Sequence, residues 1–304
     1  MGKKGKKARA GKVTRKEIIK QLDVLEKKIE KEIKNADLFA PLPPTDICPI
    51  CLLSLSRIHE LSSYHVCCGN KICTACLKES DAFVKIQNEK NAEKKKKASI
   101  SPSCPFCREP RPSFKDFVRQ LEARASQNDA NALFYMGRYF MKGGMPIPYT
   151  SCRIPKDELK ALTYLIRSVE LGSSSASELI AIFLTMSAKS FGDNKRADLF
   201  YLFSAVKGNV ASRHIAGEIA YYAGNHEEGI RHWKLAAEGG FQSSINKLKS
   251  IFLAGGEKPG KEFITKECLD RAFRICHEAQ KEVGSDERKK LDDLDGLLAH
   301  MYRC

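Results

Sequence analysis

Long apolar runs are missing from this chain of 304 residues: no stretch of about 18 consecutive apolar residues occurs, so no membrane-spanning helix is expected. No apolar stretch follows the basic N-terminus either, which is not the pattern of a secretory signal. Aromatic residues are scarce at 8%, with a single tryptophan, and none precedes Phe39. A basic tail without rings has nothing to stack on bases, which argues against nucleic acid as the partner. There is no glycine-rich phosphate loop, no Ser/His/Asp motif and no paired-carboxylate arrangement, so neither nucleotide-driven nor hydrolytic chemistry is read from the sequence. Met1-Gly2 begins as a myristoylation signal would, but Lys6 stands where Ser or Thr is required.

Positive charge is plentiful, with a net of +15, and it is unevenly spread. Residues 1–37 hold 13 Lys and Arg against 6 Asp and Glu, and residues 77–103 hold 7 against 4, so two-thirds of the excess lies in a tail and one insertion. Such runs are expected to be solvated and flexible rather than part of a folded face. Twelve cysteines without a secretory signal point to a reducing, intracellular setting, cytoplasmic or nuclear, where thiols bind metal instead of pairing.

Eight of those cysteines fall between residues 48 and 107. Cys48-Pro-Ile-Cys51 is separated by fifteen residues from Cys67-Cys68, which is separated by four from Cys73-Thr-Ala-Cys76. A 27-residue gap then leads to Cys104-Pro-Phe-Cys107. A two-residue spacer lets a tight turn aim two sulfurs at one ion, and eight thiolates fill two tetrahedral zinc sites. Adjacent side chains tend to diverge, so His65 is an alternative to Cys67 as ligand.

On either side of the cysteines the pattern is helical. Thr14 is an N-cap with Glu17 completing a capping box, and Ile18, Leu22, Leu25, Ile29 and Ile33 form a stripe expected to pack on a neighbouring domain or a partner helix. Pro41, Pro43 and Pro44 end this helix in a stiff link. A connecting helix is predicted at 113–127. Beyond it, four segments align: Lys160-Ala161 to Gly172, Arg196-Ala197 to Gly208, Glu228-Gly229 to Gly240, and Arg271-Ala272 to Ala279. In the first three, the glycine lies eleven positions after the small residue, and Tyr164, Phe200 with Tyr201, and Trp233 follow the small residue by three or four. A second helical stretch precedes each segment, near Ala132, Ala176, Ala211 and Ser244. Helix pairs of roughly 35 residues cannot bury their apolar faces singly, so they are expected to stack into a solenoid. Cys268 and Cys276 fall on one helical face and are expected in its core; Cys152 and Cys304 carry no motif.

These features carry two resemblances. The cysteine spacing, with Pro after Cys48 and Cys104, resembles an all-cysteine RING finger. The resemblance implies an interleaved cross-brace in which Cys48, Cys51, Cys73 and Cys76 hold one zinc ion and Cys67, Cys68, Cys104 and Cys107 hold a second. It further implies that Ile50, Pro105 and Phe106 contact a ubiquitin-conjugating enzyme, and that Arg108 acts as the linchpin toward enzyme and carried ubiquitin; no residue would be a covalent catalyst. The aromatic this family carries on the short helix after its sixth ligand is replaced by Ser80, with Phe83 nearby. Lys-Ala…Glu-x-Gly at 160–172 and Trp233-Lys-Leu-Ala-Ala-Glu-Gly-Gly resemble Sel-1-like repeats, in which Gly229 takes the place of the usual Ala.

The expected fold is therefore a small α+β zinc-stabilised RING-like domain followed by an all-α solenoid of helix-turn-helix repeats. The expected divisions are a basic disordered tail at 1–13, an amphipathic helix and linker at 14–40, the zinc domain at 45–112 with its insertion at 77–103, and the connecting helix at 113–127. The repeats follow at 128–285 and a helical tail at 286–304. The function these resemblances imply is a RING-type ubiquitin ligase with two zinc ions, a conjugating enzyme on the zinc domain and a protein or peptide target on the repeats. The alternative is a non-catalytic zinc-binding scaffold for protein contacts.

Overall fold

The computed structural model describes residues 13–57, 62–93, 101–143, 154–187, 194–254 and 259–283. Residues 1–12 of the expected tail at 1–13, Lys94 to Lys97, Cys152, and the C-terminal tail at 286–304 with Cys304 lie outside these residues. No helix among the described residues is long and apolar enough to cross a membrane.

Helix α1 spans Arg15–Asn35, and its start is fixed by the capping box: Glu17 N donates to Thr14 Oγ1 at 3.3 Å, and Thr14 N donates back to the Glu17 carboxylate at 2.8 Å. The cysteine module follows, with a hairpin of β1 (Ser62–Tyr64) antiparallel to β2 (Lys71–Cys73) and helix α2 (Thr74–Glu93). The basic stretch after Cys76 thus begins as the body of a twenty-residue helix and not as a loop. Of its seven lysines, Lys78, Lys85 and Lys90 sit on α2, where residues 77–93 hold no Pro or Gly to break the helix; Lys94 to Lys97 lie beyond the described residues.

Helix α3 (Phe114–Ser126), capped by Ser113, leads into four helix pairs. They are α4 (Ala130–Lys142) with α5 (Glu158–Glu170), α6 (Ser174–Met186) with α7 (Asn194–Val206), α8 (Val210–Tyr222) with α9 (His226–Glu238), and α10 (Gln242–Leu253) with α11 (Lys266–Val283). Each helix packs on its partner and on the next pair, the arrangement of a solenoid. Asp129, Asp157, Ser173 and Asn209 accept from backbone amides as N-caps. Gly172, Gly208 and Gly240 close the second helix of the first three pairs, with φ between +88° and +95°. Buried serines fasten helix to helix: Ser168 Oγ donates to Ala130 O, Ser177 Oγ to Phe200 O and Ser204 Oγ to Ser174 O, each at 2.8 Å.

The stripe of α1 is covered by this solenoid. Ile18, Leu22, Leu25 and Ile29 are buried in one core with Leu162, Leu165, Val169 and Phe200, and Ile33 packs at its edge. Full burial of such a side chain contributes about 1.5–3 kcal/mol. Arg196 of α7 pairs with Asp23 at 2.5 Å and with Glu26 at 2.6 Å across the same contact. The proline-containing segment after α1 is also held. Arg213 of α8, itself buried, donates to Leu38 O at 2.5 Å and to Ala205 O at 2.7 Å. Phe39 lies under the Arg231 guanidinium at 3.7 Å and beside the His232 ring at 4.9 Å, while Leu42 joins Val210, Ala236 and Phe241 in a small core. The segment is a strap on the repeats and not a free linker.

The third pair shows why its sequence departs from the repeat pattern. Trp233 is fully buried and donates through Nε1 to His214 O at 3.1 Å. A Cβ on Gly217 would come within 2.7 Å of the indole, and one on Gly229 within 2.8 Å of Gly217 O. Alanine is the better helix former by about 1 kcal/mol, yet Gly229→Ala is expected to lower stability by about 1–3 kcal/mol because α8 and α9 must separate. Thermal and denaturant unfolding of the variant test the sign.

His232 is buried beside Arg213 and Arg231. Burial first, then these two cations, push its pKa down from the usual 6.5 to about 4. A depressed histidine contributes stability that is complete above about pH 6.5 and is lost as pH falls toward 4. An NMR titration should show the imidazole neutral at pH 5, and His232→Gln should lessen the acid sensitivity of the α8–α9 pair between those limits.

Candidate metal centre

Two turns of one design frame the cysteines. In the first, Leu52 N donates to Cys48 O and Cys48 N to Leu53 O, both at 2.9 Å; in the second, Arg108 N donates to Cys104 O at 2.9 Å and Cys104 N to Glu109 O at 2.8 Å. The residue after each second cysteine is left-handed, Leu52 at φ 59° and Arg108 at φ 62°. A non-glycine residue there is strained by about 1–2 kcal/mol, and two equivalent turns hold it.

The turns meet the hairpin and α2 so that the sulfurs gather in two groups. Cys48, Cys51, Cys73 and Cys76 have their Sγ atoms within 4.8 Å of one another, and so do Cys67, Cys68, Cys104 and Cys107. Cys73 ends β2 and Cys76 lies in the first turn of α2, so one strand-to-helix junction supplies half of the first group. Adjacent Cys67 and Cys68 both reach the second group. The loop closes through Cys68 N and Gly69 N, which donate to His65 O, and Gly69 takes φ 76°. His65 belongs to neither group, and its Nε2 is buried without a hydrogen-bond partner.

The donor sets fit a tetrahedral ion. With metal–sulfur bonds of about 2.3 Å, tetrahedral sulfurs lie about 3.8 Å apart. The Sγ pairs Cys48–Cys76, Cys51–Cys73 and Cys68–Cys104 are separated by 4.0, 3.9 and 3.9 Å, and Cys67–Cys107 by 3.4 Å. All eight are free thiols. Burial pushes the Cys48 thiol up, but backbone N–H groups of Cys73, Cys51 and Ile50 outweigh it and bring its pKa to about 7. Cys76 and Cys51 beside it are raised, chiefly by burial. In the second group Cys107 is lowered, its backbone and thiol hydrogen bonds outweighing burial, while Cys67 and Cys104 are raised, burial again leading. Four thiolates this close repel one another, and a divalent cation at their centre removes that cost.

Around the groups, Ile50 and Phe106 are 41% and 45% exposed, Leu52 is 74% exposed, Pro105 is half-buried and Arg108 is on the surface. On α2, Ser80 is half-buried while Phe83 and Ile86 are exposed. An Arg111–Asp81 ion pair ties α2 to the chain beyond Cys107.

The joint to the repeats was not foreseen from the sequence. Arg124 of α3 donates to Val66 O at 2.5 Å and to Cys67 O at 3.0 Å, and lies 3.7 Å from Asp129. Tyr64 donates to the same carboxylate at 2.6 Å and stacks on Tyr135, with ring centroids 5.3 Å apart. No local pattern marks Arg124, whose backbone acceptors lie 57 and 58 residues away; Tyr64 at the end of β1, with Val66 just beyond it, was the available signal. In the repeats, Ser244 Oγ lies 2.9 Å from His214 Nδ1, with Glu218 3.9 Å from the other ring nitrogen. Ser244 is fully buried, so this row holds helices together and offers no nucleophile. Cys276 is buried, as expected, but Cys268 is only half-buried.

No protein-family model matches the sequence, and no curated protein matches it. Among solved structures, a Sel1 repeat protein from Oxalobacter formigenes is 26% identical over 55% of this chain and 65% of its own, with a TM-score of 0.45. A protective antigen present in uropathogenic Escherichia coli strains, displaying an SLR fold, is 16% identical over 62% of this chain and 45% of its own, with a TM-score of 0.41. This chain thus spans less than two-thirds of either protein, and the repeat architecture is carried by α4–α11 themselves.

If the two sulfur groups hold metal, the purified chain should contain two zinc ions per molecule by elemental analysis. The eight thiols should resist a thiol reagent until a chelator is added, and chelation should unfold the hairpin. Reaction of all eight with metal content near zero would exclude the assignment.

Proposed function

We propose that the chain is a RING-type ubiquitin ligase whose zinc module binds a charged ubiquitin-conjugating enzyme and whose helical repeats bind the protein to be modified. The observation that carries this reading is the interleaved gathering of the cysteines, first pair with third and second pair with fourth. Consecutive pairing would describe a sequential zinc module instead. Zinc bound by Cys48, Cys51, Cys73 and Cys76, and by Cys67, Cys68, Cys104 and Cys107, would supply cross-links and no bond-making chemistry.

The chemistry is left to position. Ile50 and Phe106, carried on the two turns, offer apolar surface to loops of a conjugating enzyme, and Pro105 stiffens the second turn. Arg108 stands free of the metal groups on the surface, where its planar guanidinium can satisfy acceptors on enzyme and ubiquitin together. Holding the thioester in one orientation raises the rate of attack by an incoming lysine without a nucleophile from this chain. A stacked array of helix pairs presents extended surface suited to a protein target. A second reading has one observation in its favour: Ser80 occupies the place of an aromatic contact, and the nearest ring, Phe83, points to solvent. On that reading the module is a scaffold for protein contacts without transfer activity.

Discharge of a ubiquitin-loaded conjugating enzyme to free lysine separates the two. Across a panel of such enzymes, at least one should discharge faster in the presence of the chain. Ile50→Ala and Arg108→Ala should each remove the acceleration by tenfold or more, the scale of losing about 1.4 kcal/mol of contact, with zinc content unchanged. No acceleration by any enzyme, from protein holding two zinc ions, selects the scaffold.

A further inference from the structure

We propose that the second cysteine group and the first helix pair form one cooperative unit joined through Arg124, so that metal held by Cys67, Cys68, Cys104 and Cys107 controls the order of α4. The inference rests on reading that group as a metal site, and it is independent of ubiquitin transfer.

The joint runs without a break from ligand loop to helix start. Residues 65–70 carry two of the four sulfurs, and the carbonyls of Val66 and Cys67 accept both hydrogen bonds from the Arg124 guanidinium. The loop approaches Arg124 so closely that a Cβ at Gly69 would lie 2.5 Å from Nη1. The guanidinium faces Asp129, whose carboxylate accepts from Tyr64 OH and, through its other oxygen, from Asn131 N and Ala132 N at 3.0 and 3.1 Å. One carboxylate therefore caps α4 and receives the module. Apolar contacts follow the same line: Tyr64 and Val66 are buried with Leu121, Leu133 and Met136 in a core shared between hairpin, α3 and α4.

Without metal the loop loses its sulfur cross-link to Cys104 and Cys107, and the hairpin with the Tyr64 and Val66 contacts is left to hold its two carbonyls toward Arg124. Without those acceptors, a largely buried guanidinium faces unmet donors, and its grip on Asp129 and on the α4 cap is lost. The repeats would then read metal occupancy directly: α4 orders when the second group is filled and frays when it is emptied.

Hydrogen–deuterium exchange of the full chain tests this, with zinc content measured alongside. The peptide 130–142 is the reporter and 226–238, in the third helix pair, is the internal reference. Chelation under reducing conditions should speed exchange in 130–142 by roughly tenfold or more and leave 226–238 as it was; restoring zinc should reverse the change. Arg124→Ala should speed 130–142 to a similar degree with both zinc ions retained, and Arg124→Lys, which keeps charge but cannot span two carbonyls, should fall between. Unchanged exchange in 130–142 after verified zinc loss overturns the inference, as does an Arg124→Ala chain that holds zinc and protects α4. Equal acceleration of both peptides means global unfolding and also overturns it. A chain that binds no zinc removes its premise, whereas a chain that shows the link but discharges no conjugating enzyme refutes only the ligase reading.

Discussion

A pair of thirteen-residue helices can cover only part of its own apolar surface, and most of this molecule outside the cysteines follows from that constraint. Each pair buries its face on the next, which is why the repeats stack. At the second helices of the first two pairs, where a stack alone would leave Leu162, Leu165 and Phe200 short of cover, α1 supplies the missing layer. The strap after α1 does the same farther along with Phe39 and Leu42. Residues before the first cysteine thus complete a core whose other members lie more than a hundred positions downstream.

The cysteine module meets the opposite problem. Its hairpin has three residues per strand, and four of the six buried apolar residues at its centre are cysteines: Cys48, Cys73, Cys76 and Cys104, with Leu55 and Ile72. Two aliphatic side chains cannot fix this length of chain against its conformational entropy. Sulfurs from distant segments converge in two groups suited to metal; a metal in each would substitute a cross-link for a core, and interleaving is the topology that gives the most from two links. Each group ties the chain before the hairpin, or after α2, to the hairpin itself, so neither turn can leave alone.

What the sequence disclosed and what it hid divide along the range of the interactions. The capping box at Thr14, the stripe from Ile18 to Ile29, the spacing of the cysteines and the glycines that close the helices act over a few residues or repeat at a fixed period, and each was readable before the fold was known. Nothing local singles out Ser177 and Ser204, whose hydroxyls meet carbonyls 23 and 30 residues away. No sequence pattern marks Arg213 or Arg124, although backbone carbonyls take up both guanidinium groups. The basic stretch after Cys76 misled for a different reason. Its charge suggested a flexible insertion, but as far as Glu93 its lysines are interspersed with acids and free of helix breakers, so α2 takes in residues 77–93. His65 drew attention because adjacent cysteines diverge in regular structure; the Gly69 turn removes that objection by a backbone conformation that side-chain reasoning does not anticipate.

The two sulfur groups differ in their surroundings, and the difference bears on how one module can serve two ends. The turn of the first group is open: Cys51, Ile50, Leu52 and Leu53 all face solvent. The loop of the second is covered by α3 and gripped through its backbone. The joint is made by two backbone carbonyls and by the buried Tyr64 and Val66 side chains, so the residues exposed on the turns do not enter it. The surface offered by Ile50 and Phe106 can therefore change without moving the module on the repeats, while a shift in the Gly69 loop would move everything the module presents. The geometry between module and repeats is thus set by Arg124, Asp129 and Tyr64.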